Sequence, residues 1–249
     1  MHFKKKTGDE ILKIGVLCDI LGNLPALEAV IRALTARGCN EIIGTGDVLT
    51  IGPESVACLH LLQRLPNFCM VSGNHERCFD HGFAPPYPSH MLEHEAAHHQ
   101  FVYDRLSEAD RQWLRALPRR MERRFDCGSS TVTVLFVHYP MDREGAFLPN
   151  FRITPEAMDR AFAGEAADVV FYGHDHIYGD CAGARRYINP GPLGCPGDGS
   201  TAPAAIFETS ENGWRIERIE VPYDKAETVR RLQQIRTPDW KEVIGWFYE

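Results

Sequence analysis

Short apolar runs that end abruptly in polar residues alternate, along much of the chain, with segments whose apolar residues recur at helical spacing. Ile11 to Cys18 predicts a buried strand. Leu24 to Arg37 predicts a helix, with Pro25 near its start, where a missing N–H costs little. Glu41 to Thr45 predicts a second strand, Pro53 to Leu65 a helix and Asn67 to Ser72 a third strand. His81 to Pro88, rich in Gly, Pro and aromatic residues, predicts an excursion from the sheet near an opening. His90 to Leu106 and Glu108 to Leu117 predict two helices, the second opened by Ser107 and closed by Pro118. Thr131 to Val137 predicts a β-branched strand, Thr154 to Ala163 a helix and Asp168 to Tyr172 another strand. After the Gly- and Pro-rich stretch Asn189 to Gly199, the segments Ala204 to Thr209 and Trp214 to Val221 predict an antiparallel pair turning near Asn212-Gly213, followed by one or two terminal helices. This order predicts a sheet-based α/β sandwich with ligands at the carboxyl ends of strands. A single domain over residues 1–249, with a helical excursion at about 80–118, is the expected organisation.

Composition narrows the classes of function. At 44% hydrophobic and 24% charged residues, the 249-residue chain has the means to bury a sizeable core. A net charge of -7 opposes an electrostatic nucleic-acid or membrane-surface binder. The local basic run Arg119, Arg120, Arg123 and Arg124 reads as a solvated face beside a strand. Eight cysteines show no CxxC pair, and several sit in apolar runs, which fits small core residues in a reducing cytosol better than disulfides or structural zinc. Met1 to Glu10 is polar and basic and only Ile11 to Cys18 after it is apolar, so neither a signal peptide nor a membrane span is expected. The expected location is the cytoplasm.

The chemistry lies where the predicted strands stop. Asp19 follows the first, Asp47 the second, Asn74 and His75 the third and His138 the fourth; the fifth runs into Gly173, His174, Asp175 and His176. Any one of these alone reads as a helix cap, a turn residue or a core histidine. Gathered at one sheet edge, such groups repel one another or stay unsatisfied without a cation, so their recurrence points to a metal site of mixed oxygen and nitrogen ligands. Glycines at 22, 46, 73 and 173 allow close backbone approach there.

The segments DILGN (Asp19 to Asn23), Gly46-Asp47, GNHE (Gly73 to Glu76), His138 and GHDH (Gly173 to His176), in that order, resemble the motifs of the calcineurin-like metallophosphoesterase family. NLPALEAV from Asn23, Gly52-Pro53 and Asn189-Pro190-Gly191 resemble its small bacterial and archaeal phosphodiesterase-like branch. The resemblance implies a four-layer α/β/β/α sandwich that holds one or two divalent metal ions, Mn, Fe or Zn, with Mn favoured. By position, Asp19, Asp47 and His176 would hold one ion, and Asp47, Asn74, His138 and His174 the other. It further implies hydrolysis of a small phosphoester, a phosphodiester or nucleotide, by a metal-activated water, with His75 as general acid and Glu76 orienting it.

One position departs from the pattern. The family's first motif reads Asp-x-His, and here Leu21 stands at the third place. Three consequences stay open: water fills the missing position and the enzyme is weaker, another group such as Asp175 compensates, or hydrolysis is lost and the fold binds a phosphate-containing ligand. A rival motif, HEAAH at His94 to His98, matches the HExxH pattern of zinc peptidases, with His90 extending the stripe; it is expected to be a surface or lid helix. Phe83, Tyr87, Tyr139 and Tyr178 are packing residues or base-stacking surfaces.

Overall fold

The computed structural model describes residues 11–87, 91–195 and 200–249. In chain order the first half comprises β1 (Lys13–Leu17), α1 (Leu24–Ala36), β2 (Glu41–Gly44), α2 (Ser55–Arg64), β3 (Phe68–Met70), α3 (Asn74–Arg77), α4 (Glu93–Tyr103) and α5 (Glu108–Arg115). The second half comprises β4 (Arg120–Cys127), β5 (Ser130–Val137), α6 (Pro155–Ala161), β6 (Val169–Phe171), β7 (Gly179–Ala182), β8 (Arg186–Asn189), β9 (Thr201–Ser210), β10 (Gly213–Pro222), α7 (Lys225–Ile235) and α8 (Trp240–Phe247). The strands form two five-stranded sheets, ordered β10-β9-β1-β2-β3 and β4-β5-β6-β8-β7.

Strand periodicity generates the four layers. Successive side chains of a strand face opposite ways. Val132, Val134 and Phe136 of β5 and Val169 and Phe171 of β6 meet Ile14, Val16, Ile43, Ala205 and Phe207 of the other sheet in one buried cluster between the sheets. The alternate residues Leu135, Val137 and Val170 join Tyr172 and turn outward onto Met158 and Phe162 at α6. On the far side, Leu17, Ile42, Ala204 and Ile206 pack against Leu27, Val30 and Leu34 of α1 and Leu59 and Leu62 of α2. Val102 of α4, Leu106 between the helices and Leu114 of α5 belong to that same cluster, so the helical excursion shares the core of the first sheet. The α/β/β/α sandwich expected from the motifs is the observed fold.

Three strands lie where none was expected. Three residues of the basic run lie in edge strand β4, where exposed Arg120 and Arg124 alternate with half-buried Met121, Arg123 and Phe125, Arg123 pairing with Glu41 at 3.3 Å. Its charges mask a period of two. β7 and β8 are four residues each, too short and polar for a periodic signal. β9 starts at Thr201, ahead of the expected Ala204, because Pro203 is accommodated opposite Glu220. The expected loop ends at Pro88 and Gly199, and the expected helix start at His90, fall outside the described residues. All eight cysteines are free thiols. Among the described residues no helix is long and apolar enough to cross a membrane.

β1, β2 and β3 run parallel, as do β5 and β6, so the loops after these strands share one edge. Glu76, fully buried in α3, fastens two of those loops together. Its Oε2 accepts from the backbone N–H of Asp47 at 2.8 Å and of Gly73 at 2.9 Å; its Oε1 accepts from Val48 at 2.8 Å and Leu49 at 3.3 Å. Burial, and then the Asp47 charge, push its carboxyl up to about 7, and the N–H donors act the other way. Replacing Glu76 by Ala strands these donors in the interior. Because each orphaned donor costs about 1–3 kcal/mol, Glu76→Ala is expected to lose at least about 3 kcal/mol of stability in urea unfolding. A loss under about 0.5 kcal/mol would show that the clasp is dispensable.

Candidate metal centre

Each residue predicted at a strand end arrives at the shared edge. Asp19 follows β1, Asp47 follows β2, Asn74 opens α3 after β3, His138 follows β5, and His174 and His176 follow β6. Asp47, His138 and His174 offer ligand atoms that all lie within 4.8 Å of one another, and so do Asp19, Asp47 and His176. Asp47 belongs to both groups. Asn74 Oδ1 lies 2.8 Å from His138 Nε2 and 2.7 Å from His174 Nδ1, completing the first group.

Each imidazole in that group has an acceptor outside it. His138 Nδ1–H donates to the Thr45 carbonyl at 2.9 Å, which turns the Nε2 lone pair inward. His174 Nε2 lies 2.9 Å from Asn150 Oδ1, and a proton held there leaves the Nδ1 lone pair facing inward. The two inward nitrogens are 3.3 Å apart, and Asp47 Oδ2 lies 3.1 Å from His138 Nε2. With both imidazoles neutral, acceptors face acceptors, and the buried Asp47 Oδ2 has no donor unless His138 Nε2 is protonated. Positive charge is required at that point. Burial alone would lower the His138 imidazole, but the Asp47 carboxylate overrides it and pushes it up to about 9. Burial alone would raise Asp47, and the His138 and His75 imidazoles instead hold it below the usual carboxylate range. A divalent cation satisfies the same demand with every donor present, and outward hydrogen bonds of this kind orient histidine ligands in metal sites.

The second group is thinner. Asp19 is fully buried and its two oxygens accept from the His174 N–H at 3.2 Å each. His176 Nε2 lies 3.9 Å from Asp19 Oδ1, while its Nδ1 faces Cys195 Sγ at 3.4 Å. Cys195, read from sequence as a core thiol, thus touches a site histidine. Cys18 Sγ donates to Asn189 Oδ1 and Gly191 O. Leu21 is fully buried; its N–H donates to Asp47 O at 3.0 Å and its carbonyl accepts from Gly52 N–H at 2.8 Å. Strand alternation cannot decide which way Leu21 points, because β1 stops at Leu17 and the backbone turns left-handed at Asp19 (φ 49°) and Leu21 (φ 48°).

Backbone strain gathers at this edge. Of nine non-glycine residues with positive φ among the described residues, seven are Asp19, Leu21, Asp47, Thr50, Ile51, His174 and His176. Each costs on the order of 1 kcal/mol, and such clusters mark sites whose geometry the surroundings impose. The glycine of the third motif is also obligatory: a Cβ on Gly73 would stand 2.1 Å from Asp47 Oδ1.

His75 lies at the rim, with Nε2 3.7 Å from Asp47 Oδ2. Glu76, expected to orient it, is occupied by backbone N–H groups. Thr50 takes that place: its Oγ1 is 2.5 Å from His75 Nδ1. His99 of α4 stacks on the His75 ring with centroids 5.2 Å apart and planes at 13°. Burial drives His75 down to about 3, with Asp47 opposing. Thr50, His99, Asn150 and Cys195 carry no motif or periodicity that would single them out.

The HEAAH helix does other work. Glu95 Oε2 accepts from the Leu92 N–H at 2.9 Å as a helix-capping group, and His98 Nδ1 pairs with Asp239 Oδ1 at 2.5 Å. His94 lies against Trp246, and His90 lies outside the described residues. Among the described residues His94 and His98 belong to no three-ligand group. The lid contact comes from His99, next to the motif. Phe83 and Tyr139 are buried packing residues, whereas Tyr178 is 41% exposed beneath the Arg218 guanidinium.

The calcineurin-like phosphoesterase superfamily domain matches residues 12–212 of the chain. An uncharacterized protein of Methanocaldococcus jannaschii is 27% identical over 250 residues, which cover 91% of this chain and 94% of that protein. The crystal structure of a metallophosphoesterase from Sphaerobacter thermophilus has a TM-score of 0.71 at 24% identity, covering 95% of this chain and 98% of its own. That of a hypothetical protein from Pyrococcus horikoshii has a TM-score of 0.75 at 18% identity, covering 96% and 98%. These two show a common fold. With the domain match running from the first strand to the turn of the last hairpin, over every residue of both ligand groups, the chain belongs to the calcineurin-like phosphoesterase superfamily.

Proposed function

We propose that this chain is a metal-dependent phosphoesterase acting on a small phosphoester, with a phosphodiester or nucleotide as the preferred class. The observation that supports it most is the convergence of Asp47 Oδ2, Asn74 Oδ1, His138 Nε2 and His174 Nδ1 on one buried point, where neutral imidazoles leave no donor and positive charge is needed. In this reading Asp47, Asn74, His138 and His174 hold one ion, while Asp19, Asp47 and His176 hold a second. Bound there, divalent metal supplies positive charge to the phosphoryl oxygens and acidity to a water. Mn²⁺, Fe or Zn²⁺ suits such a mixed donor set, and the family resemblance favours Mn²⁺.

The chain's own residues do the rest. Asp47 joins the two groups and, through Oδ1, accepts from the His75 backbone N–H at 3.0 Å, which fixes the start of α3 against the site. His75 presents Nε2 on the side of Asp47 and gives its proton to the departing alcohol oxygen. Burial disfavours the charged imidazole and the negative charge of a phosphoester favours it, so substrate binding shifts His75 toward its protonated form. A second reading, a chain that binds a phosphate-containing ligand without turnover, is favoured by the buried leucine at position 21.

Two measurements separate these readings. Purified protein supplied with Mn²⁺ is expected to hydrolyse bis(p-nitrophenyl) phosphate, and EDTA to abolish it. His75→Ala is expected to slow an alkyl-leaving-group diester by about 100-fold and the nitrophenyl ester less, since the better leaving group needs less protonation. No metal-dependent turnover above background would remove the enzyme reading. Elemental analysis of Leu21→His beside the natural chain is expected to show more metal per chain and a higher rate in the variant. If neither changes, position 21 does not limit the second ion.

A further inference from the structure

Thr50 stands in a conformation that glycine would adopt at no steric cost. Its φ is 71°, and the next residue, Ile51, has φ 56°. Both are β-branched, the side-chain type least tolerant of that region. The Gly52 N–H donates to the Thr50 carbonyl at 2.6 Å, closing a three-residue turn around Ile51. Packing keeps this turn in place: Ile51 is held against Leu232, Val243, Ile244 and Tyr248 of the α7–α8 region, and the Thr50 N–H donates to Ser55 Oγ at 2.8 Å.

A β-branched residue here has to return something, and the only polar group it adds is a hydroxyl. That hydroxyl is buried, and its proton is directed at the Leu49 carbonyl, 2.6 Å away. Only lone pairs remain for His75 Nδ1 at 2.5 Å, so Nδ1 is the nitrogen that carries hydrogen. Nε2, facing Asp47, is then the nitrogen that exchanges a proton with substrate. The stacked His99 ring limits tilting but offers no hydrogen bond that would choose between the two nitrogens, because its own Nδ1 bonds to Glu95 O at 2.8 Å.

We propose that Thr50 is a positioning residue: its strained backbone delivers a hydroxyl that locks His75 in the Nδ1–H tautomer and aims Nε2 at the reacting group. The kinetic part rests on the phosphoesterase reading; the tautomer part does not.

Thr50→Val removes the hydroxyl and keeps the shape, Thr50→Gly removes it and relieves the strain, and Thr50→Ser keeps the hydroxyl. Imidazole ¹⁵N shifts of His75, recorded on EDTA-treated protein, are expected to report Nδ1–H in the natural chain and Thr50→Ser. A mixed or Nε2–H form is expected in Thr50→Val and Thr50→Gly. With Mn²⁺ and an alkyl-leaving-group diester, kcat is expected to fall by about tenfold or more in the Val and Gly variants, with KM within about threefold and Thr50→Ser close to native. Thr50→Gly is expected to keep its thermal midpoint while losing rate, which a purely structural threonine would not do. Retention of the Nδ1–H tautomer in both the Val and Gly variants would overturn the proposal, whatever the rates. If the natural chain itself shows no turnover, the phosphoesterase reading fails and the nitrogen shifts alone decide the role of Thr50.

Discussion

A buried carboxylate oxygen that needs positive charge beside it organises this molecule. Asp47 Oδ2 lies beside His138 Nε2, and the Asn74 and His174 acceptors close the same space. Such an arrangement is repulsive unless positive charge occupies it, and desolvation makes the repulsion severe. The outward hydrogen bond of His138 to Thr45 fixes one proton away from that space, so only a second proton on His138 or a cation relieves it. In the proposed reading, a divalent cation fills that space.

Everything around Asp47 serves to hold that geometry. Parallel strands bring their carboxyl ends to one edge, and the sandwich core between the sheets fixes the two halves that supply ligands. Glu76 ties the Asp47 loop to the Gly73 loop through backbone N–H groups alone. Seven left-handed non-glycine residues at this edge are tolerated because the core on either side leaves the backbone no alternative. Stability is given up locally so that side chains from separate strands can converge.

Much of this was legible in the sequence, and for a physical reason. Strand ends are marked by an abrupt switch from apolar to polar residues, so Asp19, Asp47, Asn74, His138, His174 and His176 declare themselves, and their order carries the family resemblance. The α/β sandwich follows from the same strands and helices, and its four layers from the family resemblance. Residues that act on the ligands were hidden. Thr50, Asn150, His99 and Cys195 reach the site from loops and a covering helix, where neither period nor motif constrains the type. Glu76 was visible and its partner was misread, because adjacency to His75 in sequence implied contact while the helical turn aimed it at backbone N–H groups instead. The basic run was misread for a similar reason, since charge on the exposed face of β4 conceals the half-buried residues between.

The account stands or falls on the four-acceptor centre. Anomalous diffraction from crystals grown with Mn²⁺ tests it directly. The predicted result is a peak bounded by Asp47 Oδ2, Asn74 Oδ1, His138 Nε2 and His174 Nδ1. Absence of a peak there, with manganese bound instead on the His94 and His98 face of α4 or nowhere, would contradict it.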